Sequence, residues 1–265
     1  MSRIEETFRR LKGQGQTALI PFFVVGDPDL TTAEALLYEF GRSGADMIEL
    51  GVPCPNPHLD GPIIQASHER ALRNGVGLRE VLRLTRAWSE KTPPLILMSY
   101  FAQVGQIAPD PFIEACKKRG IAGVIIPDLP RDRAMPWIRK ARRSGLDTIF
   151  LVRPQRPCHE TRWAIRYSKG FVYYASVQGV TGPRKRLSSN LRKAVEALRR
   201  RTKKPIAVGF GISTPQQVRY VSTFADAVIV GSAIVRLIDL NPRRADLLRC
   251  VHRLVSAFAS ATRGD

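Results

Sequence analysis

An acidic residue, Glu49, lies within an otherwise apolar run, Asp46-Met-Ile-Glu-Leu-Gly-Val52, whose pattern is typical of a strand. Burying an ionised carboxylate among apolar side chains is costly unless the group is paired or holds a proton. A second carboxylate, Asp60, follows in the loop directly after this run. Two carboxylates facing one cavity can have separated pKa values and act as acid and base. The alternatives are an outward Glu49 in an ion pair and an Asp60 that caps the helix beginning near Pro62.

Glycine turns form the second group of residues that could do chemistry. Gly179-Val-Thr-Gly182, Gly209-Phe-Gly-Ile-Ser213 and Gly231-Ser232 each follow an apolar run, and the last of them opens a short helix. Backbone N–H groups and a helix dipole at such turns attract an anion. One glycine turn is explained by simple chain reversal, but three after consecutive strands predict a phosphate site.

The elements that must position these residues alternate along the chain. Short apolar runs rich in Val, Ile and Phe are separated by helical patterns, which is the rhythm of parallel βα units. The apolar runs cover residues 19–25, 46–52, 94–101, 122–127, 147–152, 171–175, 205–209 and 226–230. The helical patterns cover residues 2–13, 32–43, 62–89, 110–119, 131–144, 159–168, 188–201, 214–222 and 242–262.

Eight βα units predict an α/β fold, a (β/α)8 TIM barrel with an extra N-terminal helix, because about 250 residues is the usual length for this barrel. No linker or low-complexity stretch divides the sequence, so residues 1–265 are expected to form a single domain. The active site of such a barrel lies at the C-terminal ends of the strands, where Asp60 and the glycine turns fall. A doubly wound open sheet is the structural alternative.

The amino-acid composition limits which partners, metal sites and cellular locations are expected for the protein. The 42 Lys and Arg against 23 Asp and Glu give a formal net charge of +19, which favours acidic partners. The 4 cysteines are far apart and the 4 histidines show no ligand spacing, so neither a disulfide framework nor a metal site is predicted. No apolar run is long enough to span a membrane, and the start of the chain lacks the apolar centre of a signal peptide. We therefore expect a cytoplasmic protein that binds no membrane.

Seven motifs occur in the order and spacing of the tryptophan synthase α subunit family, and together they span nearly the whole chain. They are Pro-Phe-Phe-Val-Val-Gly-Asp-Pro28, Gly-Ala-Asp-Met-Ile-Glu-Leu-Gly-Val-Pro53, Asp-Gly-Pro-Ile-Ile-Gln65, Ile-Ile-Pro-Asp-Leu-Pro130, Gly-Val-Thr-Gly182, Val-Gly-Phe-Gly-Ile-Ser213 and Val-Gly-Ser-Ala233. Seven motifs in register are far more specific than any one of them, so the sequence resembles this family over its length.

The resemblance implies retro-aldol cleavage of indole-3-glycerol phosphate to indole and glyceraldehyde 3-phosphate, in tryptophan biosynthesis, without metal or organic cofactor. It also implies a β subunit as partner in an α2β2 assembly. Glu49 would be the acid and base, and Asp60 would hold the indole nitrogen and stabilise the charged tautomer. Tyr173 would lie near the catalytic carboxylate, and Thr181 matches a lid threonine that reaches toward Asp60. Candidate walls for the indole ring are Phe22, Ile64, Tyr100, Leu129 and Val152, and the matched phosphate contacts are Gly182, Gly211, Gly231 and Ser232.

Several positions depart from the family pattern. The loop after the second strand usually reads Phe-Ser-Asp-Pro-x-Ala-Asp-Gly-Pro, and here it reads Cys54-Pro-Asn-Pro-His-Leu-Asp60-Gly-Pro. Asn56 thus replaces an Asp that normally faces the β subunit, and Val177 stands where the lid carries Arg. Arg153 and Arg156 enter a loop that usually reads Ala-Pro-Thr-Thr. The catalytic pair and phosphate glycines are kept, so we expect changes in subunit coupling rather than in bond cleavage.

Three other functions compete with a lyase that passes indole to a β subunit. They are a stand-alone lyase that releases free indole, a catalytically weak barrel kept as a regulatory subunit, and a nucleic-acid-binding protein. The basic runs 139–143, 184–186 and 199–204 would bind phosphate backbones nonspecifically. They fall on predicted outer helices or loops without the aromatic spacing of a base-stacking platform, so no specific nucleic-acid partner is expected.

Overall fold

The structure is a computed structural model. It describes residues 1–88, 92–105, 107–154, 157–175, 187–209, 211–241 and 243–264.

The described strands form one parallel sheet that is rolled into a barrel. The hydrogen-bonded order is β5-β4-β3-β2-β1-β9-β8-β7-β6, and only Phe150 separates β5 from β6 in the chain. The two ends of the sheet are therefore one continuous segment, which confirms the predicted (β/α)8 barrel and excludes the doubly wound open sheet. The strands are β1 (Ala18–Val24), β2 (Ile48–Gly51), β3 (Leu95–Met98), β4 (Ile121–Ile125), β5 (Asp147–Ile149), β6 (Leu151–Val152), β7 (Val172–Ala175), β8 (Ile206–Gly209) and β9 (Ala227–Val230).

Helices surround this barrel in the described part of the chain. Each predicted helical pattern corresponds to at least one helix, with ends that differ by a few residues. No helix among the described residues has the length and apolar character needed to cross a membrane. The α-helices are α1 (Arg3–Gly13), α2 (Leu30–Arg42), α3 (Pro62–Arg73), α4 (Leu78–Leu84), α5 (Phe101–Val104), α6 (Pro109–Lys118), α7 (Arg131–Arg143), α8 (Cys158–Tyr167), α9 (Leu191–Arg199), α10 (Pro215–Ser222), α11 (Ser232–Leu240) and α12 (Arg244–Arg263).

The prediction of one helix over residues 62–89 is wrong, because the chain turns between α3 and α4. Gly75 adopts a positive φ of 69°, which ends a helix readily because glycine has no Cβ. The N–H groups of Gly75 and Val76 donate back to carbonyls of α3, those of Leu72 and Ala71. This turn buries Val76 in the core and allows α4 to begin in a new direction.

Strand residues alternate between two cores. Leu50, Leu97 and Val124 point outward into the layer between sheet and helices. Ile96 and Phe22 belong to the core inside the barrel. Helix α1 contributes Ile4, Phe8 and Leu11 to the inner core. Its N-cap residue Ser2 donates to Asp147 at the start of β5, so α1 packs against the end of the barrel that is opposite to the carboxyl ends of the strands.

Candidate active site

A cleft at the carboxyl ends of the strands brings together most of the predicted site residues. Its walls come from residues of β1, β2, β3, β4, β6, β7 and β9 and from the segments that follow β2, β4, β6, β8 and β9, as expected for this fold. The predicted residues that line the cleft are Phe22, Glu49, Asp60, Ile64, Tyr173, Gly211, Gly231 and Ser232.

Glu49 faces the interior of the barrel. Its backbone is in register with Phe22 on β1 and Ile96 on β3, which are both inner-core residues. The side chain is buried, and Oε2 accepts no hydrogen bond from any described residue. Burial and the nearby Asp60 charge raise the pKa of Glu49 from 4.5 to about 8. Glu49 is therefore mostly protonated at neutral pH, and the alternative of an outward, ion-paired carboxylate is wrong.

Asp60 is held at the same cleft by contacts to its side chain. The hydroxyl of Tyr100 donates to Asp60 Oδ2 over 2.8 Å, and Leu59 N–H donates to that hydroxyl over 3.2 Å. Burial first, and then the Asp60 carboxylate, raise the pKa of Tyr100, so Tyr100 stays a neutral donor. The N-cap of α3 is Gly61, without a side-chain hydrogen bond, so the alternative that Asp60 caps this helix is wrong.

Tyr173 approaches the two carboxylates from β7. Burial first, and then the charges of Glu49 and Asp60, raise the pKa of Tyr173 well above its usual value of 10.0. The ring fits because β8 ends in Gly209, where an added Cβ would lie 2.4 Å from the Tyr173 hydroxyl oxygen. The close approach explains why a glycine is needed here for a reason other than chain reversal.

One side of the cleft offers backbone donors. Gly211 has a positive φ of 80°, and Gly231 is the N-cap of α11. The first N–H groups of a helix have no acceptor within it, so those of Ser232 and its neighbours can bind an anion. The other predicted members of this corner and of the lid, Thr181 and Gly182, lie outside the described residues, as does Val177.

Helices α3 and α11, which flank the two halves of the cleft, are tied together by Arg70. Its guanidinium donates to buried Asp27 in the loop after β1 through two hydrogen bonds of 2.8 Å. It also forms an ion pair of 2.8 Å with Asp239 on α11. The Asp60 side and the α11 side of the cleft are thus joined by one cation.

Three predicted wall residues lie elsewhere. Val152 points into the outer core, and Leu151, the preceding residue, lines the cleft instead. Leu129 packs against the outer core and lines a neighbouring groove together with Val152. Tyr100 is buried in the inner core next to the cleft, where its hydroxyl donates to Asp60. The alternation of strand side chains across the sheet explains why Leu151 and not Val152 faces inward.

The sequence interpretation missed several residues of the cleft. Met98, Ile125, Leu151 and Ile229 are strand residues that follow the same inward alternation as Glu49, which is the signal that could have found them. The others lie in segments after strands, where no such period applies. Arg153, a departure from the family loop, also lines the cleft. The missed lining residues are Leu59, Met98, Ile125, Pro127, Leu151, Arg153, Ile212 and Ile229.

His68 is a further neighbour of the site that the sequence interpretation missed. Its imidazole is completely buried, and Nε2 lies 3.4 Å from Asp60 Oδ2. The available signal was its spacing from Ile64, because residues four apart share one face of a helix.

The fold and the cleft define a (β/α)8-barrel protein with an enclosed pair of carboxylates beside the N-terminus of a helix. The family model for the tryptophan synthase alpha chain matches residues 8–262. The chain is 43% identical to the tryptophan synthase alpha chain of Microcystis aeruginosa, over 91% of this chain and 93% of that one. It is 42% identical to that of Geobacter sulfurreducens, over 98% and 99%.

Solved structures agree with this similarity. Tryptophan synthase subunit alpha from Legionella pneumophila aligns with a TM-score of 0.91 at 30% identity and covers 100% of both chains. A chain of Mycobacterium tuberculosis tryptophan synthase aligns with a TM-score of 0.91 at 33% identity, over 99% of this chain and 98% of that one. The chain therefore belongs to the tryptophan synthase alpha chain family. This is a family of tryptophan biosynthesis, whose members are lyases that cleave indole-3-glycerol phosphate and pair with a β subunit.

Proposed function

We propose that this chain cleaves indole-3-glycerol phosphate with Glu49 as the proton-transfer group and Asp60 as the charge-stabilising anion. The observation that carries the proposal is the buried Glu49, whose pKa of about 8 leaves it protonated at neutral pH in the same cleft as Asp60. A general acid is most effective when its pKa lies near the working pH.

The proposed reaction begins with a proton transferred from the Glu49 carboxyl to C3 of the indole ring. Positive charge then develops on the ring and its N–H group, where the Asp60 carboxylate stabilises it. The Glu49 carboxylate next takes the proton of the hydroxyl on the carbon bonded to C3. That hydroxyl becomes the aldehyde carbonyl, and the electrons of the broken C–C bond return to the ring. Glu49 regains its proton, so the cycle closes without metal or organic cofactor.

The remaining cleft residues would bind and orient the substrate. Apolar side chains of Phe22, Ile64 and Leu151 would enclose the indole ring, with Tyr173 beside the Glu49 carboxylate. The phosphate would lie against the backbone donors of Gly211, Gly231 and Ser232. The resemblance supports two further roles, Gly182 as a phosphate contact and Thr181 as a lid residue directed at Asp60.

Two statements on organisation and location belong to the same proposal. Residues 1–265 would form one domain, which is supported by the single barrel that the described residues build. The chain would act in the cytoplasm, where a biosynthetic lyase and its β subunit can assemble. The α2β2 assembly is supported by family membership.

The substitution Asp60→Asn tests the role of the anion. It keeps the shape of the side chain and removes the charge, so we expect kcat to fall by about 10² to 10³-fold. The Michaelis constant should change little, because the charge to be stabilised appears only along the reaction path. The control is Asp246→Asn, which removes a carboxylate that pairs with arginines on the surface of α12. An effect of Asp60→Asn on KM alone would assign Asp60 to substrate binding and contradict the proposal.

A further inference from the structure

The buried imidazole of His68 has one nitrogen bound to the backbone and the other directed at a carboxylate. Cys54 N–H lies 3.1 Å from His68 Nδ1, and Asp60 Oδ2 lies 3.4 Å from His68 Nε2. Cys54 and Asp60 belong to the same loop, between β2 and α3. The histidine on α3 therefore contacts both the start and the end of the loop that carries Asp60.

The contact to Cys54 determines the tautomer of His68. A backbone N–H can only donate, so Nδ1 must present its lone pair, and an imidazolium has no free lone pair. His68 is consequently neutral, with its single ring proton on Nε2. This proton is on the nitrogen that faces Asp60 Oδ2. Among the described residues, Nε2 has no partner in good hydrogen-bond geometry, and Asp60 Oδ2 lies 3.4 Å from it.

Two donors thus converge on one oxygen of Asp60. Tyr100 donates to Oδ2 over 2.8 Å, and His68 approaches the same atom over 3.4 Å. The second distance is long for an N–H···O hydrogen bond, and hydrogen bonds in unliganded sites often shorten when the substrate is bound. Tyr100 thus holds Oδ2 and His68 faces the same atom, whereas no described side chain donates to Oδ1, which can meet a ligand in the cleft.

We propose that His68 is a positioning residue for Asp60, and that its neutral Nε2–H fixes the Asp60 carboxylate so that Oδ1 meets the indole N–H. The inference rests on the proposed function, because it takes the role of Asp60 from it. His68 touches no substrate atom. Its action is to hold Asp60 in one orientation while positive charge develops on the ring, and a small loss of alignment at such a site is costly to the rate.

A matched pair of substitutions separates this role from a purely structural one. His68→Gln places an amide NH2 near the position of Nε2 and keeps a donor toward Asp60, but it loses the acceptor for Cys54 N–H. His68→Asn places an amide oxygen near the position of Nδ1 and keeps that acceptor, but it loses the donor toward Asp60. The two variants are compared for indole release from indole-3-glycerol phosphate, with thermal unfolding as the check on folding.

We expect His68→Asn to lower kcat by about tenfold, a smaller loss than the ~10² of a full 1 Å misplacement, with KM changed little. His68→Gln should keep kcat within about threefold of the parent, an allowance that is small against that loss. The opposite order would show that His68 only holds Cys54. Equal losses or no loss in both variants would equally overturn the proposal.

A measurement without turnover tests the inference independently of activity and of the folding of the His68 variants. Long-range 1H–15N NMR of the parent chain should show His68 as the Nε2–H tautomer. In Asp60→Asn the Nε2 proton resonance should move, while the resonances of His252 serve as the control. A proton on Nδ1, or an Nε2 resonance unaffected by Asp60→Asn, contradicts the proposal. If Asp60→Asn leaves kcat unchanged, the proposed function fails whatever His68 does.

Discussion

Ionising the buried carboxyl of Glu49 lowers the stability of the folded protein, a cost that an apolar or amide side chain at the same position would not have. In the unfolded chain its pKa is near 4.5, and in the folded protein burial and Asp60 raise it to about 8. A carboxyl that prefers its proton so strongly is suited to donate it to carbon. The same property destabilises the fold whenever the solution pH favours the ionised form.

The pH dependence of stability follows from this raised pKa. The contribution of protonated Glu49 to the free energy of unfolding is fully present below pH 4.5. It is lost as the pH rises toward about 8, because the unfolded chain releases the proton first. The full difference corresponds to about 5 kcal/mol. Glu49→Gln should therefore raise the free energy of unfolding relative to the parent, with a gain that grows by up to ~1.4 kcal/mol per pH unit across this window.

Denaturant unfolding at several pH values checks this expectation. The control is Glu114→Gln, since Glu114 is largely exposed on α6, where it forms a long 4.0 Å ion pair with Lys118. A Glu49→Gln gain that stays constant from pH 5 to pH 8 would show that Glu49 is ionised in the folded protein and would contradict its role as acid.

At the scale of the elements, the segment from β5 to β6 shows how the barrel assigns side chains to the site. Ile149 and Leu151 face the interior, whereas Phe150 and Val152 face the helices. Adjacent residues on this segment therefore have different structural roles. Ile149 packs in the inner core and Leu151 lines the cleft, whereas Phe150 and Val152 pack in the layer between the sheet and the helices.

The pair Leu151 and Val152 provides a test of this division. Val152→Ala should lower the free energy of unfolding by about 2 kcal/mol, because two buried methyl groups are lost and a small cavity remains. Its kcat/KM should stay near that of the parent. Leu151→Ala should lower kcat/KM by about tenfold, since it truncates a wall of the cleft, and should cost less stability. The reverse pattern in unfolding and kinetic measurements would assign the indole wall to Val152, as the sequence interpretation did.

The order and type of the elements could be predicted from sequence because periodicity and glycine stops are local signals. A carboxylate within an apolar run is also a local signal, and Glu49 pointed to the site in this way. What failed were features that depend on packing or on side-chain direction, such as the turn at Gly75 and the inward orientation of Leu151. The contact of His68 with Asp60 joins a helix to a loop, and no local pattern specifies that distance.

At the scale of the whole molecule, much of the positive charge lies away from the cleft. A groove at the opposite end of the barrel is lined by 7 Lys and Arg and by 2 acidic residues. The basic runs 139–143 and 199–204 meet there. Part of this positive charge interacts with the carbonyl end of a helix. Lys204 donates to the carbonyls of Ile165 and Ser168 at the end of α8.

Two positions of the sequence lack a charge that the family pattern carries. Asn56, which is exposed in the loop after β2, stands where the family pattern has Asp, and Val177 stands where the lid has Arg. Close interfacial charge pairs contribute about 1.5 to 7 kcal/mol of coupling in favourable cases, although others break even. We therefore expect a β subunit with the usual family interface to stimulate this chain only weakly.

Restoring both residues should improve that stimulation. The experiment measures indole release with and without such a β subunit for the parent and for Asn56→Asp combined with Val177→Arg. Asn190→Asp, a similar change at an exposed position before α9, serves as the control. The native partner is tested in parallel, because a compensating change there could preserve coupling. Strong activation of the unmodified chain by the usual β subunit, undiminished in moderate salt, would contradict the expectation.

The most direct test of the central claim is the rate at which the purified chain releases indole from indole-3-glycerol phosphate, compared with that of Glu49→Gln. The glutamine keeps the shape of the side chain and cannot transfer the proton. We expect measurable release by the parent and a loss of about 10² to 10⁴-fold or more in the variant, with the fold retained. A Glu49→Gln rate within about threefold of the parent, an allowance small against that range, would remove Glu49 from the mechanism.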